Sequence, residues 1–328
     1  MDRWADAMMA AGAVPASHVP EESLGRTDLT EVAGAELVED ADLRIHPLDT
    51  AGATATPQAV SFLDGIQRWK VTYYDGVVPI VRAYVAAATR RRAGDRRLRT
   101  VGEASREFHA APVAALRPGV RVALEASGVE LVDVPQEALG QPGPALEAAR
   151  RAVENARVAL EKDLGERHLA LLGADEWLVV DGVLSESARL AGHPRALGVI
   201  KSHGAQYFEG DALTRALTLP ALHRTSVFRP RGRARHEVYS WYLRLWPWEG
   251  NDLLFGLLRV EARAHGAAAA GASGVSSWLA RERAPVSTPD ARWDRLLYPI
   301  HDVEMYLKAR APRNLLPPPA SRLPQAAS

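Results

Sequence analysis

Val60-Ser-Phe-Leu-Asp64-Gly65 and Trp177-Leu-Val-Val-Asp181-Gly182 are two short apolar runs, and each closes on Asp-Gly. A run of this length bounded by turn residues reads as a buried strand. An aspartate at the end of such a strand can project from a sheet edge into a cleft. The glycine after it lets the backbone turn and leaves that space open. Either segment alone is equally an ordinary strand-to-turn signal. The repetition of the pattern argues for a shared role.

Working outward from the first run, Trp69 to Tyr74 is β-prone, Asp75-Gly76 is a hairpin signal, and Val77 to Ala87 is apolar and partly β-branched. Together these predict a three-stranded meander. Pro144 opens a helix to about Leu164, proline being favoured in a first turn. Its residues Leu146, Ala149, Val153, Ala156, Leu160 and Leu164 form one apolar stripe. Beyond the second run, Ala196–Lys201, Tyr239–Trp246 and Leu253–Glu261 read as strands. Ala267–Arg283 reads as a helix interrupted by Gly271 and Gly274, and Pro299 to about Arg310 as a final helix. The expected fold is α/β, one mixed sheet with helices on both faces. Residues 1–57, with the acidic run Glu36–Asp42, read as a loosely packed leader with one or two short helices. Residues 58–311 read as the main domain, with an insertion at about 90–143. Residues 312–328 form a proline-rich tail, expected to be extended or disordered.

Composition narrows the function classes. The chain has 328 residues, 40 Lys plus Arg and 40 Asp plus Glu, so it carries no global positive field. Contact with nucleic acid must therefore come from local patches. Hydrophobic residues at 47% and charged residues at 24% exclude a disordered or collagen-like chain. The absence of cysteine excludes disulfides, thiolate metal sites and cysteine nucleophiles, and it fits a reducing compartment. The segment MDRWADAMMAAGAV is a poor signal peptide, and no stretch of about 18 apolar residues predicts a membrane span. A cytoplasmic protein with no membrane partner is expected.

Several residue sets carry candidate chemistry. Glu147, Glu154 and Glu161 are spaced by seven on one helical face, where they also suit a solvated flank paired with Arg150, Arg151, Arg157 and Lys162. Two strand-end aspartates and one helix glutamate offer the oxygen ligands that Mg²⁺ or Mn²⁺ prefers. Such a shell can hold paired metals about 4 Å apart to activate water and stabilise a leaving oxygen of a phosphodiester. Lys201 ends the strand Gly198-Val-Ile-Lys-Ser-His203, where it is suited to a scissile phosphate or simply to keeping its charge in water. His301, Asp302 and Glu304 fall within four positions at the start of the last helix, where an acid also suits the helix dipole. Arg90–Arg99 carries six arginines. Arg224, Arg229, Arg231, Arg233 and Arg235 accompany His223, Phe228 and His236. Both stretches suit phosphate tracking, a solvated loop, or an acidic partner. There is no GxxxxGK[ST] loop, no HExxH and no GxSxG.

The order of motifs carries more than any one of them. FLDG at 62–65, the meander, a glutamate-bearing helix, VVDG at 179–182, GVIKSH at 198–203, SWYLRL at 240–245, LLRVEA at 257–262 and YPIHDVE at 298–304 follow one another. This arrangement, from about Val60 to Arg310, resembles the NurA family of DNA-end-processing nucleases. The resemblance implies an RNase H-like core, the fold also seen in Argonaute Piwi domains. It implies a Mn²⁺- or Mg²⁺-dependent nuclease, with two ions, acting on single- and double-stranded DNA ends. Cutting would run 5′ to 3′, with endonuclease cutting of single-stranded DNA as a further activity. It also implies a homodimer working with a hexameric HerA-type ATPase in end resection. Position by position, Asp64 and Asp181 would be metal ligands. Glu154 would be the helix acid, because Arg150-Arg151-Ala-Val-Glu154 matches the family's Arg-x-x-Leu-Glu, with Glu161 in reserve. His301 or Asp302 would close the metal shell. Lys201 and the Arg224–Arg235 segment would hold DNA. Two alternatives are a non-catalytic DNA-holding adaptor for such a motor and a nuclease of an anti-phage defence system.

Overall fold

Residues 31–49, 57–135, 141–232, 234–285, 293–313 and 315 are described by a computed structural model. In chain order the strands and helices are β1 (Glu31–Val32), β2 (Ala35–Leu37), β3 (Ile45–Pro47), β4 (Ala59–Asp75), β5 (Val78–Arg92), β6 (Leu98–Ala111), α1 (Pro118–Glu125), β7 (Glu130–Asp133), α2 (Pro142–Leu169), β8 (Glu176–Asp181), α3 (Ala188–Gly192), β9 (Ala196–Ile200), β10 (Ala205–Gln206), α4 (Gly210–Leu217), β11 (His223–Thr225), β12 (Phe228–Pro230), β13 (Val238–Arg244), β14 (Leu257–Arg263), α5 (Ala267–Ala270), α6 (Ala272–Arg281) and α7 (Tyr298–Arg310). The protein is mixed α/β, with a twelve-stranded mixed sheet flanked by helices. The chain divides into two units. Residues 1–63, 91–99 and 166–302 form unit one; residues 64–90, 100–165 and 303–328 form unit two. The division falls inside β4, between Leu63 and Asp64.

In unit one, β8 lies parallel to the first residues of β4 and to β9, with Leu63 opposite Val180 and Asp181 opposite Val199. β14 runs antiparallel to β9, and β13 to β14. β11 and β12 both pair with β13. In the leader, expected to be loosely packed with one or two short helices, the described residues 31–49 hold three short strands. β1 pairs with β10, β2 with β12 and β3 with β11. Elements of two or three residues leave no readable period, so only their partners reveal them. An aromatic core of Tyr207, Phe228 and Tyr242 fills this side. Residues 1–30, 50–56 and 316–328, with part of the expected leader and most of the proline-rich tail, lie outside the described residues.

In unit two, β4 continues through Asp64-Gly65 to Asp75, so the two runs expected as separate strands are one strand of 17 residues. β5 follows after two residues, with Gly76 at φ +59° taking the left-handed position of the turn. The third strand of the meander is β6, within the stretch expected as an insertion, and β7 lies parallel to it. The small residues Ala145, Ala148, Ala149, Val153 and Ala156 of α2 pack on Val81, Ala83, Val85, Phe108 and Ala110. Their size lets helix and sheet approach closely. Among the described residues no helix is long and apolar enough to cross a membrane.

Candidate functional site

The Asp181 end of β8 is built by three strands of unit one. Gly182 adopts φ +137°, a conformation open to glycine, and turns the chain out of the strand. Opposite it, a Cβ on Gly198 would lie 2.6 Å from the Gly182 carbonyl oxygen and 3.1 Å from Leu184, so this close approach needs glycine on β9. The loop then continues into Leu184 and Ser185, whose N–H groups donate to the Glu261 carboxylate at 2.7 and 3.3 Å. Glu261 is buried on β14 and accepts from Arg259 at 2.6 Å. Burial works against the Arg259 charge, but the Glu261 carboxylate outweighs it and holds the guanidinium above its ordinary range. A buried pair of this kind contributes little net stability when intact and costs much when broken.

Lys201, the first residue after β9, donates to Asp181 Oδ2 at 2.8 Å, and both side chains are largely buried. Two residues on, the buried His203 bonds the Leu257 carbonyl through Nε2 at 3.0 Å. A carbonyl only accepts, so Nε2 carries the proton. Burial pushes the imidazole down to about 4, and it is neutral at ordinary pH. Arg295, in the single turn Trp293–Arg295, donates to the Lys201 carbonyl at 3.4 Å. Asp294 beside it accepts from Gly256 N–H at 2.6 Å, and burial raises its pKa.

In unit two, Asp64 is buried and accepts from its neighbour's N–H, Gly65, at 2.7 Å. A Cβ on Gly65 would fall 2.3 Å from Glu161 Oε1, so the glycine is where the Glu161 carboxylate rests on the strand. Arg157, one turn earlier, donates to the same carboxylate and to Gln67 at 3.2 Å. Glu161 is 7% exposed, whereas Glu154 faces solvent and Glu147 pairs with Arg150 at the surface. The helix acid on the strand is thus Glu161. A seven-residue step moves about 10 Å along a helix axis, so Glu154 cannot share its location. His301 and Asp302 are half-buried in the N-terminal part of α7, and in unit two Glu304 pairs with Lys308 at 2.8 Å.

The arginine segment, expected to hold DNA, is engaged by acids of the same chain. Arg224 is 4% exposed and forms a two-pronged pair with Glu39, both bonds at 2.7 Å. Arg229 bonds Glu36, and also Glu237 at 3.0 Å; Arg231 bonds Glu36 at 3.1 Å and Arg235 pairs with Glu186 at 3.2 Å. Arg233 lies outside the described residues. The β2–β12 pairing sets Arg229 opposite Glu36, so the acidic run and the basic segment neutralise each other within the chain. Glu39, Asp40 and His46 cluster closely enough to hold a metal ion. Ser226, foremost, and His46 bond the Asp40 carboxylate and lower its pKa. Burial alone would raise the Glu39 pKa, but the bond from Arg224 and that from Val227 N–H lower it. The other basic stretch is similarly engaged: Arg91 pairs with Glu176 at 2.9 Å, Arg92 with Glu282, and Arg99 with Asp95 at 2.5 Å.

Sequence reasoning missed Glu261, Arg259 and Asp294. One signal for the first two was present. Two opposite charges at i and i+2 of an otherwise apolar strand share one face, and a charge there must be paired. No protein-family model and no curated protein matches the chain.

Proposed function

We propose that the protein is a metal-dependent nuclease that hydrolyses phosphodiester bonds at DNA ends, built on an RNase H-like core. The observation that carries this reading is the register of β4 and β8. Leu63 lies opposite Val180 in a parallel pair, and the next residue on each strand is an aspartate, Asp64 and Asp181. The order of pairings adds support. β5 neighbours β4, β6 neighbours β5, and the chain returns through α2 to β8, parallel to β4, and on to β9, parallel to β8.

The donor chemistry fits Mn²⁺ or Mg²⁺, because the candidate ligands are carboxylates. By the family resemblance Asp64 and Asp181 would be metal ligands together with a helix acid and His301 or Asp302, and within unit two the helix acid that meets β4 beside Asp64 is Glu161. Glu161 takes the role that the family resemblance gives to Glu154, since it is the acid that reaches β4. A pair of such ions supplies an activated water and a stabilised leaving oxygen. Lys201 pairs with Asp181 and is the group of this loop suited to a phosphate oxygen. By the same resemblance the protein would be a cytoplasmic homodimer serving a hexameric HerA-type ATPase in end resection.

A second reading is a non-catalytic DNA-holding adaptor. It is favoured by one observation: Asp181 and Glu161 already carry basic partners, Lys201 and Arg157. Cleavage of end-labelled single- and double-stranded DNA with Mn²⁺, Mg²⁺ or EDTA decides between them. The nuclease reading expects metal-dependent cutting that falls about a hundredfold or more in Asp64→Asn and Asp181→Asn, the scale of several kcal/mol of metal-derived stabilisation. Normal cutting by either folded variant removes the proposed site. No cutting with a HerA-type ATPase present, and no thermal shift with Mn²⁺, leaves the adaptor.

A further inference from the structure

Beside the Lys201 loop, unit one carries an aromatic cluster that the proposed chemistry does not use. Trp246 meets Trp293 edge to face at 5.4 Å between ring centroids, and Phe255 meets Trp293 at 5.5 Å. All three rings are partly exposed. The Arg283 guanidinium lies 4.1 Å from the Trp246 ring centroid and is anchored by a 2.9 Å bond to the Leu245 carbonyl. The Trp246 indole N–H is buried and has no hydrogen-bond partner among the described residues. A buried donor without an acceptor is costly in a pure packing cluster.

The cluster is rigidly mounted. Arg244, fully buried, donates to the carbonyls of Leu217, Leu219 and Leu253 at 2.6, 3.1 and 3.0 Å, and to that of Phe255. Gly256 has φ +67°, and a Cβ there would meet Trp246 backbone atoms at 2.9 Å, which presses the Phe255 turn onto Trp246. Asp294 ties Gly256 N–H to the turn that carries Trp293. The same turn supplies Arg295, which bonds the Lys201 carbonyl, while His203 bonds Leu257, the residue after Gly256. The platform is therefore continuous with the loop holding Lys201, the partner of Asp181.

We propose that Trp246, Phe255 and Trp293, with Arg283 beside Trp246, form a stacking platform for the bases of a single DNA strand. Aromatic faces bind any base, and a flanking guanidinium complements a phosphate. Paired bases are stacked within a duplex and cannot present their faces, so the platform selects an unpaired strand. The inference rests on the nuclease reading for its substrate, but binding without metal tests it separately.

The probe is a fluorescein-labelled 20-mer of thymidine and a blunt duplex of equal length, titrated in EDTA with the full chain. The platform expects the single strand to quench tryptophan emission. It expects Trp293→Ala to weaken single-strand binding about fivefold or more while duplex binding moves less than twofold. Trp293→Phe should retain most of the affinity, and it keeps the test usable if the alanine variant melts early. Unquenched emission, unchanged single-strand affinity in Trp293→Ala, or loss of both affinities alike in a folded variant would overturn the proposal. Normal cutting by Asp181→Asn would refute the proposed catalytic site and leave these binding results standing.

Discussion

Asp64-Gly65 and Asp181-Gly182 read alike in the sequence and are built differently. At Asp181 the strand ends, Gly182 turns the chain at φ +137°, and the space beside the glycine is open. At Asp64 the strand runs on for eleven more residues, and Gly65 exists because a helix carboxylate occupies the place of its side chain. One glycine serves backbone conformation and the other serves close approach. A dipeptide records the residue but not the reason, and the reason lies in the element packed against it.

The largest effect should come from the glycine facing Asp181's loop. Gly198→Ala would set a Cβ 2.6 Å from a backbone carbonyl that has no rotamer to change. Its cost should reach or pass the top of the roughly 1–3 kcal/mol range for overpacking. Chemical unfolding measures it. A loss under 1 kcal/mol would mean that the Gly182–Leu184 loop is not held as described.

Next comes a pH response whose largest part belongs to the Asp181 side. His203 is buried and neutral when folded, with its pKa moved from 6.5 to about 4. The unfolded chain therefore takes up a proton between pH 6.5 and 4 that the folded chain refuses. Stability from this group is constant above pH 6.5 and falls as the pH drops through that window, by about 3 kcal/mol from pH 7 to 4. His203→Gln keeps an N–H for the Leu257 carbonyl and removes the titration. Urea unfolding at several pH values should show a shallower acid limb in the variant. His109, His168 and His193 are also lowered, foremost by burial, so a residual slope of the same sign remains.

Gly65→Ala should cost less, about 2 kcal/mol, because its obstacle is a side chain that can move. Displacing Glu161 should remove cleavage if the proposed site is right. Adding Glu161→Ala should recover part of the stability and none of the activity, a non-additivity expected of touching residues. Gly182→Ala has no such rescue, since its strain lies in the backbone. Equal recovery at both positions would erase the distinction between the two glycines.

What was legible follows from the same physics. Trp177 to Asp181 is buried on every residue but Trp177 and Asp181 and reads as a strand from composition alone. The face of α2 was legible because Ala149, Val153 and Ala156 recur at helical spacing. β6 was not, because Arg99, Glu103, Arg106 and Glu107 give it a largely polar text and its support comes from β5 and β7. Lys201 reads from the sequence as a phosphate contact or a solvated strand-end lysine, and its pairing with Asp181 depends on β8 and β9 lying side by side. The choice of Glu161 over Glu154 was beyond sequence, since both lie on one face and only the position of β4 along the helix separates them.

The smallest expected effect extends the contrast to the arginines. Arg224 and Arg231 belong to one basic segment and look interchangeable as phosphate contacts. Arg224 is enclosed and bonds Glu39 twice, Ser273 once at 2.8 Å, and the Thr225 carbonyl at 3.0 Å. Removing it leaves the Glu39 carboxylate with the Val227 N–H and empties an enclosed site, and should cost about 1–2 kcal/mol, below the value for a fully buried pair. Arg231 shares the exposed Glu36 with Arg229, and water replaces it readily. Arg231→Ala should leave the melting temperature within error of the parent protein. If DNA uses this segment at all, the variant should lower affinity in a salt-dependent way with no loss of stability, the reverse of Arg224→Ala. Equal melting temperatures for the two variants would show that the Glu39 pair does not hold the acidic run to the sheet.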